Sequence, residues 1–406
     1  MAVVLAGVLI SAAARIDSSA PTPAVTAVAN PSRPGAAQPQ LTVSARGVLL
    51  SWIERNGDRA ELKFAERAGT RWSEPLVAAA GDDFFVNWAD VPSVLRLSTG
   101  TLVAHWLQKN GPGTYAYDVR LAHSADDGRT WSPSFTPHRD GTQTEHGFAS
   151  LFELPGGGAG VIWLDGRAMA GDAGHGHGSG AMSLRFAAYD RRWKPAAEGA
   201  IDTRVCECCP TAAAVTSDGV VAAFRNRSDA EVRDIYVARL AGGRWTEGQP
   251  VHDDGWKVPA CPVNGPALSA AGRRVAVAWF TLREGQGRSF LAFSSDAGRT
   301  FGPPVALDDE SSLGRVDVQL LPDGSAIGIW LEASSARADL RGRRIEPGGR
   351  RSPSFSIAGL EANRSTGYPR VALGGDELVF AWTETSPATG GSGVRTAVAR
   401  LQDVMR

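Results

Sequence analysis

The chain has 406 residues, of which 43% are hydrophobic and 21% charged, with 47 Gly and 24 Pro. That is enough chain to bury a large core and too much polarity for an integral membrane protein, and the glycine content argues for many turns rather than a helical bundle. A formal net charge of −1 lacks the basic excess of a nucleic-acid binder, so no nucleic-acid partner is expected.

From the start of the chain, residues 1–14 read as a secretory signal peptide. An apolar run over 2–10 is followed by small residues, although the positive n-region is missing. The run is too short to span a bilayer, and no later stretch approaches 18 apolar residues, so no membrane span is expected. Residues 15–37 are rich in Pro, Ala and Ser and read as a linker. The expected location is the periplasm or the exterior, with one folded unit over 38–406.

Along that unit a short β-like run ending in an aromatic recurs seven times. The aromatics are Trp52, Trp106, Trp163, Phe224, Trp279, Trp330 and Trp382, spaced 51 to 61 residues apart. A second aromatic follows Arg or Thr downstream of most of them, at Trp72, Trp131, Trp193, Trp245 and Phe301. Before each first mark lies another β-like run closed by a Gly or Asp turn, as in Leu97-Ser98-Thr99-Gly100. Short strands, tight turns and a period near 50 predict an all-β chain, a β-propeller of four-stranded blades. Seven copies predict seven blades. The last copy, over 368–401, has room for three strands, so residues 24–29 are expected to supply its outer strand; six blades is the alternative.

Two turns carry a sharper pattern, Ser-x-Asp-x-Gly-x-Thr-aromatic. In the first the marked residues are Ser124, Asp126, Gly128 and Trp131; in the second they are Ser294, Asp296, Gly298 and Phe301. This resembles the Asp-box, or BNR repeat, of the sialidase-like propellers, and the resemblance covers about residues 38–402. It implies a structural turn between the third and outer strands, on the face away from the active site. It also implies a glycoside-hydrolase-type site with an arginine triad, a Tyr–Glu pair and an Asp. The first repeat, Gln40-Leu41-Thr42-Val43-Ser44, carries no arginine and no Arg-Ile-Pro motif. Cys206-Glu207-Cys208-Cys209-Pro210, Cys261-Pro262-Val263-Asn264-Gly265-Pro266 and Trp163-Leu164-Asp165-Gly166-Arg167 look closer to exported bacterial sialidase-like proteins.

In a four-stranded blade, the loops leading into the inner strand and those joining the second strand to the third share one face. The first set holds Asp90, Glu145, His146, the cysteines, Asn264, Arg315, Tyr368 and Arg370. The second holds Asp165, Arg167, Arg225, Arg227, Asp229, Arg283, Glu284, Glu332 and Glu384. The expectation is an Arg-rich funnel for an anionic sugar or similar small ligand, contacted by Arg167, Arg225, Arg227, Arg315, Arg370, His146 and Asn264. Arg225, Arg315 and Arg370 would be the carboxylate clamp. If the funnel is catalytic, the candidates are Asp90, Glu145, Asp165 and Tyr368.

All four cysteines fall in two adjacent lead-in loops. In an exported chain an even number suggests two disulfides among Cys206, Cys208, Cys209 and Cys261, stapling two blades at the funnel. Three thiols within four residues also suit copper or zinc. His175 and His177, in the Gly-rich loop over 168–181, are a second metal candidate, weighed against solvated loop histidines. No cofactor is otherwise indicated. Three readings follow: a sugar-binding propeller, a sialidase-type hydrolase, and a periplasmic copper, zinc or redox protein.

Overall fold

The structure is a computed structural model and describes residues 22–170, 180–334, 337–386 and 390–406. Seven antiparallel sheets follow one another along the chain as seven blades of a β-propeller. The inner strands are Ala36–Ser44, Ser93–Arg96, His146–Glu153, Ala212–Thr216, Ala267–Ala271, Ser312–Leu320 and Arg370–Gly374, in blades 1 to 7. Blade 2 has three regular strands, its outer position marked by a single bridge between Leu121 and Phe135. Blade 7 receives its outer strand from the other end of the chain: Thr26–Val28 pairs with Thr396, Ala397 and Val398. The seven-blade count and its closure stand as expected. His175 and His177 lie outside the described residues. Among those described, no helix is long and apolar enough to cross a membrane.

Why these residues make this fold is visible in the second strands. Their aromatics, Trp52 to Trp382, are all buried. They pack between neighbouring blades, as where Val221 and Ala223 of blade 4 meet Val275, Val277 and Trp279 of blade 5. Each such ring removes a large apolar area from water. A buried indole N–H needs an acceptor, and in blades 1, 3 and 6 the strand supplies it two residues later on the same face. Trp52 Nε1 donates to Glu54 (3.1 Å), Trp163 Nε1 to Asp165 (2.8 Å), and Trp330 Nε1 to Glu332.

The two Ser-x-Asp-x-Gly turns both follow a third strand. In the first, Ser124 Oγ accepts from Gly128 N (2.9 Å), and Asp126 accepts from Thr130 N and Thr130 Oγ1 (2.9 and 2.6 Å). The second repeats this with Ser294, Gly298, Asp296 and Thr300. Gly128 has φ +84, and a Cβ there would fall 2.4 Å from Phe64 Cζ, so the turn admits only glycine. Trp131 meets the same Phe64 ring edge-on at 6.1 Å.

Candidate functional site

All seven inner strands line one central cavity of about 220 Å³. Its head is shaped by a recurring device. In blades 1, 3 and 6 the register between inner and second strand slips near the start of the inner strand, between Ala37 and Gln40, Gly147 and Ser150, and Gly314 and Asp317. The slipped residues Gln38, Phe148 and Arg315 have positive φ. Such a bulge frees a backbone N–H from the ladder. In two cases the preceding blade supplies the acceptor: Gln38 N donates to Thr383 Oγ1 (3.1 Å) and Arg315 N to Asn264 Oδ1 (2.8 Å). In the third, the Phe148 amide lies against the Asp90 carboxyl. Asn264 and Asp90 therefore hold neighbouring blades in register at the channel head.

The arginines expected to form a clamp do not converge on one ligand. Arg225 is buried over Trp256 (4.8 Å), and its guanidinium donates to three backbone carbonyls, Asn264 O (2.9 Å), Arg233 O (2.5 Å) and Phe280 O (2.7 Å). Arg315 lies over Trp88 (4.8 Å) and donates to Thr366 Oγ1 (2.6 Å) and Asn363 O (3.0 Å). It borders a separate rim cavity of about 370 Å³. Arg227 is held by Glu231 and Glu207, and Arg167 by Asp165 at 2.7 Å. Only Arg370 lines the central cavity. Its guanidinium sits over Tyr368 (5.6 Å), and its buried Nε has no hydrogen-bond partner. Asp317, which accepts from Val371 N (2.9 Å), is the nearby countercharge.

The acidic candidates divide in the same way. Asp90 borders the cavity, and its Oδ1 has no partner. Burial pushes its carboxyl up to about 7. Its Oδ2 accepts from Tyr117 Oη at 3.3 Å, and Glu145 accepts from the same hydroxyl at 2.7 Å. Glu145 is pushed up to about 8, by burial first. Tyr117 and Glu145 make a Tyr–Glu pair, but Tyr117 is buried, and Gly147 packs so close that a Cβ there would fall 2.1 Å from Asp90 Oδ2. Neither Tyr117 nor Glu145 lines the central cavity. Tyr368 is also buried and donates to Val263 O (2.6 Å).

Asp165 and His146 belong to a sealed network between blades 2 and 3 that the sequence did not bring to notice. The His146 and His138 rings stack at 3.9 Å, with Asp140 3.3 Å from His146 Nε2 and 3.2 Å from His138 Nδ1. Arg167 Nη2 also reaches Asp140 (3.2 Å). Burial lowers His138 to about 4. None of these groups lines the central cavity. The signal in the sequence was thin: His138 and Asp140 lie in the irregular segment that leads into His146, with no motif to mark them.

No two of the four cysteines lie at disulfide distance. Cys206 Sγ lies 3.1 Å from Cys209 Sγ and 3.9 Å from Cys208 Sγ. Cys208 is in side-chain contact with Cys261. Burial opposes ionisation of Cys206, but its hydrogen bonds with the neighbouring thiols outweigh this and hold it well below the usual thiol range. Arg233 Nη1 donates to Cys206 Sγ at 3.3 Å. In the second loop Val263 has φ +46, a strained conformation for a β-branched residue.

No protein-family model matches the chain, and no curated protein matches it in sequence. Solved structures do match in fold. A protein of unknown function from Dyadobacter fermentans DSM 18053 is 14% identical, with 93% of this chain and 97% of that chain covered and a TM-score of 0.51. Polysaccharide lyase Uly1 is 10% identical, with 89% of each chain covered and a TM-score of 0.52. NanB sialidase from Streptococcus pneumoniae is 8% identical over 94% of this chain and 95% of that chain, with a TM-score of 0.47. At such identities a likeness shows the fold.

Proposed function

We propose that this propeller binds one small polar ligand of carbohydrate type at the head of its central channel. The observation that carries the reading is a pair of buried, unpartnered atoms, Arg370 Nε and Asp90 Oδ1, bordering the same cavity. Buried polar groups are almost always satisfied, so two unpartnered atoms on residues that line one cavity favour a polar occupant there. Ser150, Ser269 and Gln319 also line it, each bonded to a neighbouring blade and adding neutral polarity to the wall. Such a mixture suits hydroxyls together with one anionic group.

The sialidase-like turns support a carbohydrate over other small ligands, as does the polysaccharide lyase with the same fold. On this reading the chain is an exported binding protein without turnover, because the Tyr117–Glu145 pair does not line the channel. The test is direct. N-acetylneuraminate, glucuronate and neutral hexoses are titrated calorimetrically, and fluorogenic glycosides of the same sugars are assayed for cleavage. Saturable one-site binding with no cleavage is expected. Cleavage would replace the binding reading with a hydrolase.

A further inference from the structure

The cysteine cluster has no role in that reading, and the propeller does not need it to close. Its two loops are already locked by ordinary contacts. Cys206 N donates to Arg225 O (2.9 Å), Tyr368 Oη fixes Val263 O, and Gly265 packs so tightly that a Cβ would fall 2.0 Å from Pro210 O. This scaffold brings Cys206, Cys208 and Cys209 together with every pair of sulphurs within 4.8 Å, and sets Cys261 of the next blade against Cys208. Cys206 and Cys209 are buried, Cys208 half-buried, and Cys261 exposed.

Two features distinguish this from a pair of unformed disulfides. The first is the mutual approach of three sulphurs. Disulfides would have to divide the four cysteines as Cys206–Cys209 and Cys208–Cys261, whereas a cation takes the three clustered sulphurs at once. In a tetrahedral thiolate site with metal–sulphur bonds of about 2.3 Å, sulphurs lie about 3.8 Å apart. The Cys206–Cys208 separation of 3.9 Å matches this, and the Cys206–Cys209 separation of 3.1 Å would have to widen on binding. The second is charge. Among the described residues the buried Arg225 guanidinium pairs with no carboxylate; its polar contacts are neutral carbonyls. Arg225 and Arg233 both act on the cysteine cluster, and Arg233 Nη1 donates to Cys206 Sγ. Neutral thiols need no such company, and a buried guanidinium without a counterion is strongly disfavoured. A divalent cation on four thiolates carries a net charge of −2; Arg233 is shared with Glu207 (2.7 Å) and Glu231 (2.9 Å), so the uncompensated Arg225 guanidinium is the charge that offsets it.

We propose that Cys206, Cys208, Cys209 and Cys261 bind one thiophilic d10 cation, Zn(II) or Cu(I), between the lead-in loops of blades 4 and 5. Each cysteine ligates as thiolate and releases its proton to solvent. The three sulphurs of the first loop form a trigonal set on their own, which satisfies Cu(I). Zn(II) requires Cys261 as the fourth ligand. The cation then does what the disulfides were expected to do, tying two blades together at the mouth of the channel. The inference stands apart from the sugar-binding reading, and its readout is independent of it.

The full chain is purified reduced, stripped with a chelator and kept under inert gas. It is then titrated with Co(II), as a spectroscopic substitute for Zn(II), and separately with Cu(I), and metal is counted by mass spectrometry. One equivalent per chain and, for Co(II), a thiolate-to-metal charge-transfer band are expected. Cys208→Ser should abolish uptake. Exposed Cys261→Ser should weaken Co(II) and Zn(II) by about 100-fold or more and leave Cu(I) bound if Cu(I) is the native ion. Circular dichroism and tryptophan fluorescence confirm that each variant is folded. Absence of uptake by the reduced, folded chain, or unchanged uptake by both variants, overturns the proposal. So does a protein isolated with Cys206–Cys209 and Cys208–Cys261 disulfides that takes up no metal once reduced.

Discussion

Arg225 shows how a residue with the right chemistry for a ligand can be committed elsewhere. Its guanidinium joins Asn264, Arg233 and Phe280 through their carbonyls, across two blades. Arg225→Ala should therefore strand three buried acceptors and destabilise the chain by about 3 kcal/mol or more, read from urea unfolding. An unchanged midpoint would contradict this placement. Asp90 and Glu145 make a second prediction. Both carboxyls are raised by burial, to about 7 and about 8, above the ordinary carboxylate range they regain on unfolding. The native state therefore holds protons that the unfolded chain has released, and these two groups subtract stability as pH rises from about 4 to about 8, while His138 and His105, lowered to about 4 by burial, add stability as pH rises from about 4 to about 6.5. Each carboxyl contributes up to about 4 kcal/mol to that loss, the opposite of ordinary acid denaturation. Asp90→Asn and Glu145→Gln should each remove one such loss, so that the stability difference between wild type and variant changes between pH 5 and 8.5; variant and wild-type profiles that run parallel over this range would contradict the assignment. The acids after Trp52, Trp163 and Trp330 teach a related lesson. Trp-x-acid is legible in the sequence, but it reads as funnel chemistry until the indole N–H is seen to need that carboxylate.

At the scale of the strand, closure of blade 7 depends on three residues. Thr26–Val28 pairs with the last strand, Asn30 Nδ2 donates to Val394 O (3.0 Å), and Thr396 Oγ1 donates to Val28 O (2.8 Å). A chain starting at Pro31 exposes the edge of Ser392–Arg400 and should melt about 5 °C or more below the full chain. An unchanged melting temperature would mean that the first and last blades hold without this strand. The strand was legible because the seventh repeat was visibly one strand short. The bulges at Gln38, Phe148 and Arg315 were not legible. A one-residue slip leaves the alternation of the strand nearly unchanged, and its evidence is a positive φ at residues other than glycine. Those bulges decide which side chains reach the channel, so the site was less readable than the blades that carry it. Gly147→Ala tests the device in blade 3. Its Cβ would displace the Asp90 carboxyl from Tyr117, and the pH profile should lose the contribution of Asp90 if the bulge sets that contact.

For the whole molecule, the period of buried aromatics gave the propeller directly, because a residue type repeated at the same place in every blade is a long-range signal. The site had no such repetition. Its members come from single positions in several blades, and sequence alone does not distinguish an arginine facing the channel from one facing a carbonyl. The face was predicted; the division of labour on it was not. Arg370 and Asp90 remain at the channel head, Arg225 and Arg315 belong to the scaffold and rim, and the cysteines form a cluster of their own. The most direct measurement compares calorimetric titrations of acidic and neutral monosaccharides into the wild type, Arg370→Ala and Arg315→Ala. One saturable site in the wild type and in Arg315→Ala, lost in Arg370→Ala, is the predicted result. Binding that survives Arg370→Ala, or no saturable binding of any sugar by the folded wild type, would contradict a ligand site at the head of the channel.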